Sequence, residues 1–307
     1  MFNIVQKRHW YFLVSAIIII PGLIAMIYSI FAVGAPFRLG IDFTGGALIE
    51  LRFDQPVRPA EVRDVFVQEG YQSTTVQTTA DDNTVLIRTG PLDPETKQAL
   101  DAQLESRLGP AEELRFESVG PSVGAEVTQA AGIAVAIAAL FILLFIIFAF
   151  RKVPNALRYG VCAVAAMIHD ILVTVGLFSI ASLALGWEAD ALFLTALLTV
   201  IGFSVQDTIV VFDRIRENIS RRRGEAFETI VNRSLLETIH RSLATQLNAI
   251  FVLVALLLLG GATMQQFVAV LLAGLLSGTY SSIFNAVPLL VVWETGEVVG
   301  TTARATA

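Results

Sequence analysis

Six long apolar segments limit what this chain can fold into. They cover approximately residues 11–33, 128–150, 159–186, 191–212, 242–260 and 266–293. Each is close to or above the roughly 18 to 20 residues that a helix needs to cross about 30 Å of hydrocarbon. The mean hydropathy of +0.68 agrees with this, because it is far above the value of a water-soluble domain. The pattern predicts an α-helical membrane protein with six transmembrane helices.

Basic residues are unevenly distributed between the segments that connect these spans. They occur before the first span, between the second and third, and between the fourth and fifth, whereas 187–190 and 261–265 contain neither Lys nor Arg. The positive-inside rule therefore predicts that both termini are cytoplasmic. The predicted parts are residues 1–33 (N-terminus and first helix), 34–127 (outer domain), 128–293 (helices 2–6 with a basic cytoplasmic loop at 213–236) and 294–307 (cytoplasmic tail).

The N-terminal apolar segment raises the alternative of a cleaved signal peptide, since "AVGA" at 32–35 resembles a cleavage site. A signal peptide has an apolar core of roughly 7 to 15 residues, which is shorter than this segment. The sequence therefore favours an uncleaved membrane anchor.

The outer domain alternates short strands and helices. Residues 47–54, 73–79, 83–89 and 112–119 have the β-branched content and alternation of strands, and 58–70 and 93–109 have the spacing and punctuation of helices. The order β-α-β-β-α-β predicts a ferredoxin-like α+β domain. Two glycine-rich segments flank it, and we expect hinges at Gly40, Gly45, Gly46, Gly120 and Gly124.

Several function classes find no support in the sequence. The glycine-rich segment "GIDFTGG" at 40–46 precedes a predicted strand, whereas a phosphate-binding loop opens a helix. Metal-ligand spacings and nucleophile constellations are lacking, so we predict no enzyme activity, no cofactor and no metal site. The arginines at 221–223 beside a membrane indicate a topology signal or a contact with anionic lipids rather than a nucleic-acid site.

Charged residues inside the apolar segments are the strongest functional signal. An ionised Asp near the bilayer core costs about 2.5 to 3.5 kcal/mol on insertion scales, so Asp207 must be paired, solvated or protonated. Arg241 in the fifth span has a similar depth and is the partner that we expect for Asp207. Asp170 lies in the third span, and Asp213 follows at the end of the fourth. The polar residues expected to support this path are Ser204, Gln206, Thr208, Thr245, Asn248 and His169.

The alternatives for these residues are structural. Arg241 could extend to the lipid headgroups, His169 could be a hydrogen-bonded packing residue, and a buried ion pair could serve only to lock helices together. The sixth span has a small-residue face at Gly274, Gly278 and Ser282, which is typical of close helix packing. We assign no function to Ser281 and Asn285 in the same span.

Five motifs together resemble the SecF family of bacterial Sec translocon subunits. They are "GIDFTGG", "GPSVGAE" (120–126), "HD" (169–170), "VIGFSVQDTIVVFDRIREN" (200–218) and "NRSLLETIHRSLATQ" (232–246). The likeness covers nearly the whole chain. One departure is Gln206, where the family more usually has Asn.

The resemblance implies a half-unit of the resistance-nodulation-division superfamily in the bacterial cytoplasmic (inner) membrane. It implies SecD as heterodimer partner, the SecYEG channel, SecA indirectly, YajC, membrane lipids and a translocating polypeptide. It also implies that the proton-motive force drives late-stage export of preproteins, with Asp207 and Arg241 on the proton path and Asp170 and Asp213 as further members. The alternatives are a small-molecule or lipid exporter of the same superfamily and a passive translocon assembly factor.

Overall fold

The computed structural model describes residues 3–79, 83–151, 155–222 and 224–298, without the side chains of residues 262 and 263. Part of the predicted tail 294–307 and Arg223 of the arginine stretch therefore lie outside the described residues. The chain divides into two compact units. One comprises Met1–Arg38 with Ile133–Ala307, and the other comprises Leu39–Gly132.

The helices and strands have a fixed order along the chain. After a short 3₁₀ turn at Val5–Lys7 they are α1 (Arg8–Val33), β1 (Arg38–Leu39), α2 (Ile41–Thr44), β2 (Gly46–Phe53), α3 (Pro59–Gln68), β3 (Thr75–Thr78), β4 (Thr84–Thr89), α4 (Pro94–Leu108), β5 (Ala111–Val119), α5 (Pro121–Ala149), α6 (Ala156–Leu185), β6 (Glu188–Ala189), α7 (Ala191–Arg221), α8 (Phe227–Leu259), α9 (Ala262–Ser281), a π-helical turn (Ser282–Ala286) and α10 (Val287–Thr295).

Six helical segments are long and apolar enough to cross a membrane. They are Val5–Val33, Pro121–Ala149, Ala156–Leu185, Ala191–Arg221, Phe227–Leu259 and Met264–Thr295. Each predicted span lies within one of these segments or extends past its end by a single residue. The prediction of an α-helical membrane protein with one small α+β region is confirmed.

The helices extend further than the apolar segments, which corrects the prediction of a loop at 213–236. Helix α7 continues to Arg221 and α8 already begins at Phe227. Ion pairs between residues three or four apart stabilise this polar extension of α7, since such neighbours lie one helical turn apart. They join Arg214 to Glu217, Asp213 to Arg216 and Glu217 to Arg221.

The unit Leu39–Gly132 is a four-stranded antiparallel sheet in the order β3-β4-β2-β5 with helices α3 and α4. This is the ferredoxin-like topology that the sequence predicted. Alternate residues of β2 and β4 join the apolar face of both helices in one core. Helix α4 begins at an N-cap, Asp93, which accepts hydrogen bonds from the Thr96 N–H and hydroxyl, and these bonds hold the pKa of Asp93 below its usual value.

The glycines expected to act as hinges lie at close backbone contacts or at helix starts. A Cβ atom at Gly45 would lie 2.8 Å from the Pro121 Cα, and one at Gly124 would lie 2.8 Å from the Gly45 N, so these positions allow two backbone segments to touch. Gly46 is equally enclosed by the Thr89 carbonyl, Gly40 is the N-cap of α2, and Gly120 directly precedes α5. Because α5 already begins at Pro121, the second glycine-rich segment is mostly helical rather than an open connection.

The unit of Met1–Arg38 with Ile133–Ala307 contains the membrane-spanning helices and is called the membrane unit. It is built around α6, α7 and α9. A Cβ at Gly22 of α1 would lie 2.7 Å from the Gly176 Cα of α6, so these helices cross in backbone contact. The small-residue face predicted on the sixth span is confirmed at two positions. Gly274 packs against the Val200 side chain, and Gly278 faces the Ser204 backbone. The residues that this close approach brings together include the buried charges.

Candidate functional site

Asp207 is buried in α7 and has one hydrogen-bond partner on α8. Asp207 is 4% exposed, and its Oδ2 accepts a hydrogen bond from the Gln246 Nε2 at 2.6 Å. Ser242 lies one turn before Gln246 and brings a hydroxyl next to the same carboxylate. The carboxylate therefore meets neutral donors in an otherwise apolar environment.

The expected pairing of Asp207 with Arg241 is wrong. The buried polar face of α8 is formed by Ser234, Thr238, Ser242 and Gln246. Arg241, Thr245 and Asn248 lie on an exposed face of the same helix. The two faces are offset by a single residue in sequence, and helical spacing alone does not distinguish them.

Arg241 lines a surface cavity instead. The cavity has a volume of about 480 Å³ and is also lined by Phe145, Ile209, Asp213 and Glu237. Glu237 is already bound to Arg214 and Asn218. Among the residues that the structure describes, Arg241 forms no ion pair.

Asp213 lies away from the buried charges. It forms an ion pair with Arg216 at 2.5 Å on the same helix, and 56% of its side chain is exposed. Gln206, which the sequence placed on the supporting face, is also exposed. Among the described residues, neither side chain forms a hydrogen bond or ion pair with Asp207.

Asp170 of α6 is the most enclosed carboxylate of the membrane unit. Its Oδ2 accepts hydrogen bonds from the hydroxyls of Ser204 at 2.5 Å and Ser281 at 2.6 Å, and its Oδ1 accepts one from the Ser277 hydroxyl at 2.6 Å. The residue is 0% exposed. These contacts join α6, α7 and α9 at one point.

Ser277 and Ser281 are site residues that the sequence analysis missed. Small hydroxyl residues in a membrane helix indicate close packing as readily as polar contacts. The available signal was the spacing of four that relates Ser277, Ser281 and Asn285. Asn285 lies in the π-helical turn, and its Oδ1 accepts a hydrogen bond from the Ser15 hydroxyl at 3.0 Å.

His169 is adjacent to Asp170 and contacts its carboxylate. Its Nδ1 lies 3.0 Å from the Asp170 Oδ1, and its ring stacks on Tyr280 with a centroid distance of 6.2 Å. The ring also borders an apolar cavity of about 430 Å³ between α1, α6, α8 and α9. His169 is therefore part of the packing around Asp170.

Ser204 connects the two buried carboxylates through α7. It donates to Asp170, and its carbonyl accepts a hydrogen bond from the Thr208 hydroxyl at 3.3 Å. Asp207 follows Ser204 by three residues, which is nearly one helical turn. The predicted residues Ser204, Thr208, Asp207, Asp170 and His169 thus lie in one region of the membrane unit.

A third buried charged residue, Arg8, lies at the helix ends. It is 0% exposed, its Nη1 contacts the Glu228 Oε1 at 2.9 Å, and its Nε and Nη2 both donate to the Glu297 carbonyl. The sequence analysis took Arg8 only as a topology signal. The described residues contain no group of three or more His, Cys, Asp or Glu side chains arranged to hold a metal ion.

The geometry favours reversible protonation at Asp207 over other chemistry. A buried carboxylate in a membrane helix is expected to mark an ion or proton pathway. Asp207 has neutral donors and no counter-ion among the described residues, so its charged form is weakly stabilised. Asp170, by contrast, accepts hydrogen bonds from three serine hydroxyls.

Comparisons with known proteins identify the family of the chain. The family described as "Protein export membrane protein SecD/SecF, C-terminal" matches residues 100–296, and the "SecD/SecF GG Motif" matches residues 30–57. The chain is 50% identical over 305 residues to the protein translocase subunit SecF of Thermobaculum terrenum, covering 96% of this chain and 94% of that protein. It is 49% identical over 300 residues to SecF of Anaerolinea thermophila, covering 97% and 96% respectively.

A solved structure is similar over most of the chain. The crystal structure of SecDF from Thermus thermophilus superposes with a TM-score of 0.79 at 32% identity, over 95% of this chain. The match covers 38% of the length of that SecDF chain. On the family match, the near full-length relatives and this likeness, the chain belongs to the SecF family of protein translocase subunits.

Proposed function

We propose that this chain, together with SecD, couples the proton-motive force to late-stage export of preproteins across the bacterial cytoplasmic membrane. Membership of the SecF family supports the role in the Sec translocase. The single observation that supports proton coupling is the state of Asp207, which is buried in a membrane helix next to a neutral amide. In this proposal Asp207 takes up and releases the proton.

The energy available is sufficient for a conformational step. Moving one elementary charge through 100 mV supplies about 2.3 kcal/mol. At room temperature this changes the ratio of two states by roughly fifty-fold. Protonation of Asp207 would remove its charge and weaken its attachment to α8, which would let α7 and α8 shift relative to each other.

SecD is the partner that the surface of the membrane unit best fits. Gln206 of α7 and Arg241, Thr245 and Asn248 of α8 are exposed on helices that cross the membrane. Polar side chains facing lipid are costly, so we propose that a SecD half covers them. The SecDF structure supports this partner, because it contains a similar half within a longer chain. Arg241 would then join the proton path at the covered surface.

The remaining assignments follow from the same proposal. Asp170 would be a fixed charge that supports the path, and Asp213 would lie outside it at the membrane surface. We place both termini in the cytoplasm and the ferredoxin-like unit on the opposite side, where it would meet the translocating polypeptide. The SecYEG channel would be the direct neighbour of the SecD–SecF pair, with SecA acting from the cytoplasm and YajC as an accessory.

The test is gradient-dependent export by membrane vesicles that contain the chain with its SecD. We expect Asp207→Asn to abolish the part of export that depends on the gradient, while the complex still assembles. Asp213→Asn is the matched comparison, because it removes a carboxylate from the same helix at an exposed position. Export by Asp207→Asn that still responds fully to the gradient would refute proton coupling. Normal export after collapse of the gradient would favour a passive assembly factor.

A further inference from the structure

Gln246 is the residue that the buried face of α8 brings to Asp207. Its side chain is 4% exposed, and its Nε2 donates to the Asp207 Oδ2 at 2.6 Å. The other buried polar residues of this face, Ser234, Thr238 and Ser242, have short hydroxyl side chains. Ser234 and Thr238 donate to carbonyls of their own helix. Gln246 therefore makes the hydrogen bond from α8 to Asp207, and the Ser242 hydroxyl lies beside the same carboxylate.

A primary amide suits a partner that changes its protonation state. It has two N–H donors on one atom and an acceptor oxygen on the other. The N–H group can donate to a carboxylate, and after a half-turn about the last side-chain bond the oxygen can accept from a carboxylic acid. An arginine in the same place could only donate, so it would lose its hydrogen bond to the hydroxyl of the acid.

We propose that Gln246 is the positioning residue for proton exchange at Asp207, bound to it in both protonation states by reversing its amide. This rests on the proposed function, in which Asp207 carries the proton. In the charged state the amide donates from Nε2, as the structure has it. In the neutral state the amide oxygen accepts from the acid, and the proton stays on the carboxyl group. Gln246 itself gains and loses no proton.

The surroundings of Asp207 make Gln246 the dominant polar influence. Asp170 of α6 is bound to three serine hydroxyls and His169. On α8, Glu237 is bound to Arg214 and Asn218, while His240 and Arg241 are exposed. Tyr280 of α9 donates to the Tyr11 carbonyl, and Glu294 of α10 pairs with Arg158. These groups thus make their hydrogen bonds with partners other than Asp207. We therefore expect removal of the Gln246 amide to act on Asp207 directly.

The experiment measures gradient-driven export as a function of pH in the assembled complex with SecD. Gln246→Leu removes the amide at similar size. The charged form of Asp207 then loses a donor, so its protonation occurs at higher pH and the profile shifts upward. A hydrogen bond to a charged group corresponds to a shift of about one to two pH units. Gln246→Asn, which keeps the amide on a shorter side chain, should restore part of the shift.

Thr238→Val is the matched control. It removes a buried hydroxyl two turns earlier on the same face of α8, where the hydroxyl contacts only its own helix. We expect the control to keep the pH profile of the unaltered chain. Infrared difference spectra supply a second readout, because protonation should change the carboxyl band of Asp207 together with an amide band that disappears in Gln246→Leu.

The possible outcomes separate this inference from the proposed function. If Asp207→Asn exports normally, the proposed function fails and this inference fails with it. If Asp207→Asn is inactive while Gln246→Leu keeps both the pH profile and the amide band, only the inference fails. Loss of export by Gln246→Leu at every pH, without rescue by Gln246→Asn, would also overturn it. Gln246→Met replaces the leucine variant if that complex does not assemble, and the same outcomes apply.

Discussion

The two buried carboxylates of the membrane unit are held in contrasting ways. Asp170 accepts hydrogen bonds from three serine hydroxyls on α7 and α9, and His169 lies beside it. Asp207 accepts one from the amide of Gln246. Both residues are nearly inaccessible, at 0% and 4% exposure. The difference between them is therefore the number of donors and not the depth of burial.

This difference decides how costly each charge is. Burial disfavours the charged form of a carboxylate, and each hydrogen bond to that form offsets part of the cost. In the proposed function Asp207 is the carboxylate that exchanges its proton, while the serine hydroxyls hold Asp170 where α6, α7 and α9 meet. Because Ser204 binds Asp170 and lies three residues before Asp207, α7 contributes to both sites within about one helical turn.

The largest effect is expected from Asp170→Asn. The neutral amide has one acceptor oxygen, whereas the carboxylate has two. At least one serine hydroxyl therefore loses its acceptor, and the others donate to a neutral oxygen instead of a charged one. Hydrogen bonds to a charged group contribute about 1.5 to 3 kcal/mol each, so the free energy of unfolding should fall by about 3 to 5 kcal/mol. Denaturant unfolding of the purified chain in one detergent measures this.

Asp207→Asn provides the internal control for that experiment. An asparagine can still exchange a hydrogen bond with the Gln246 amide, and it removes a buried charge with few donors. We expect a change of less than about 1.5 kcal/mol in the free energy of unfolding. If both variants lost the same free energy of unfolding, the two carboxylates would not differ in how much their hydrogen bonds stabilise the fold.

A smaller effect is expected when single donors to Asp170 are removed. Ser277→Ala and Ser281→Ala should each lower the free energy of unfolding by about 1 to 3 kcal/mol, since the carboxylate keeps its other donors. Ser282→Ala is the matched control, because its hydroxyl bonds only to the Thr279 carbonyl of the same helical segment. If both serine variants matched the Ser282→Ala control, Asp170 would not depend on these hydroxyls.

The sequence predicted the architecture because hydrophobic periodicity carries it. The six apolar segments and the alternating strands of the ferredoxin-like unit each bury one continuous apolar surface, and local pattern is enough to identify such surfaces. The ends of α7 and α8 were not predicted. Their extensions are polar, and that of α7 is stabilised by ion pairs between residues one turn apart.

The side-chain partners of the buried charges required the structure. On α8 two polar stripes lie next to each other, one ending at Gln246 and the other containing Arg241. Because opposite charges attract, the sequence favoured Arg241 as the partner of Asp207. Helix packing, however, decides which polar stripe of α8 faces α7. Ser277 and Ser281 were missed for a similar reason, since a small residue at a helix contact can bind a charge or simply allow close approach.

The smallest effect is expected at Arg241, and it tests whether Asp207 lacks an ionic partner. Arg241 is exposed and forms no ion pair among the described residues, so Arg241→Gln in the isolated chain should change the free energy of unfolding by no more than about 0.5 kcal/mol. Gln246→Leu, measured in parallel, should cost about 1 to 3 kcal/mol because it removes the amide that donates to the buried Asp207 carboxylate. Breaking a buried ion pair costs about 3 to 5 kcal/mol. A loss of about 2 kcal/mol or more in Arg241→Gln would therefore mean that Asp207 is charge-paired after all. Both aspartates would then be fixed charges, and proton exchange would have to occur elsewhere.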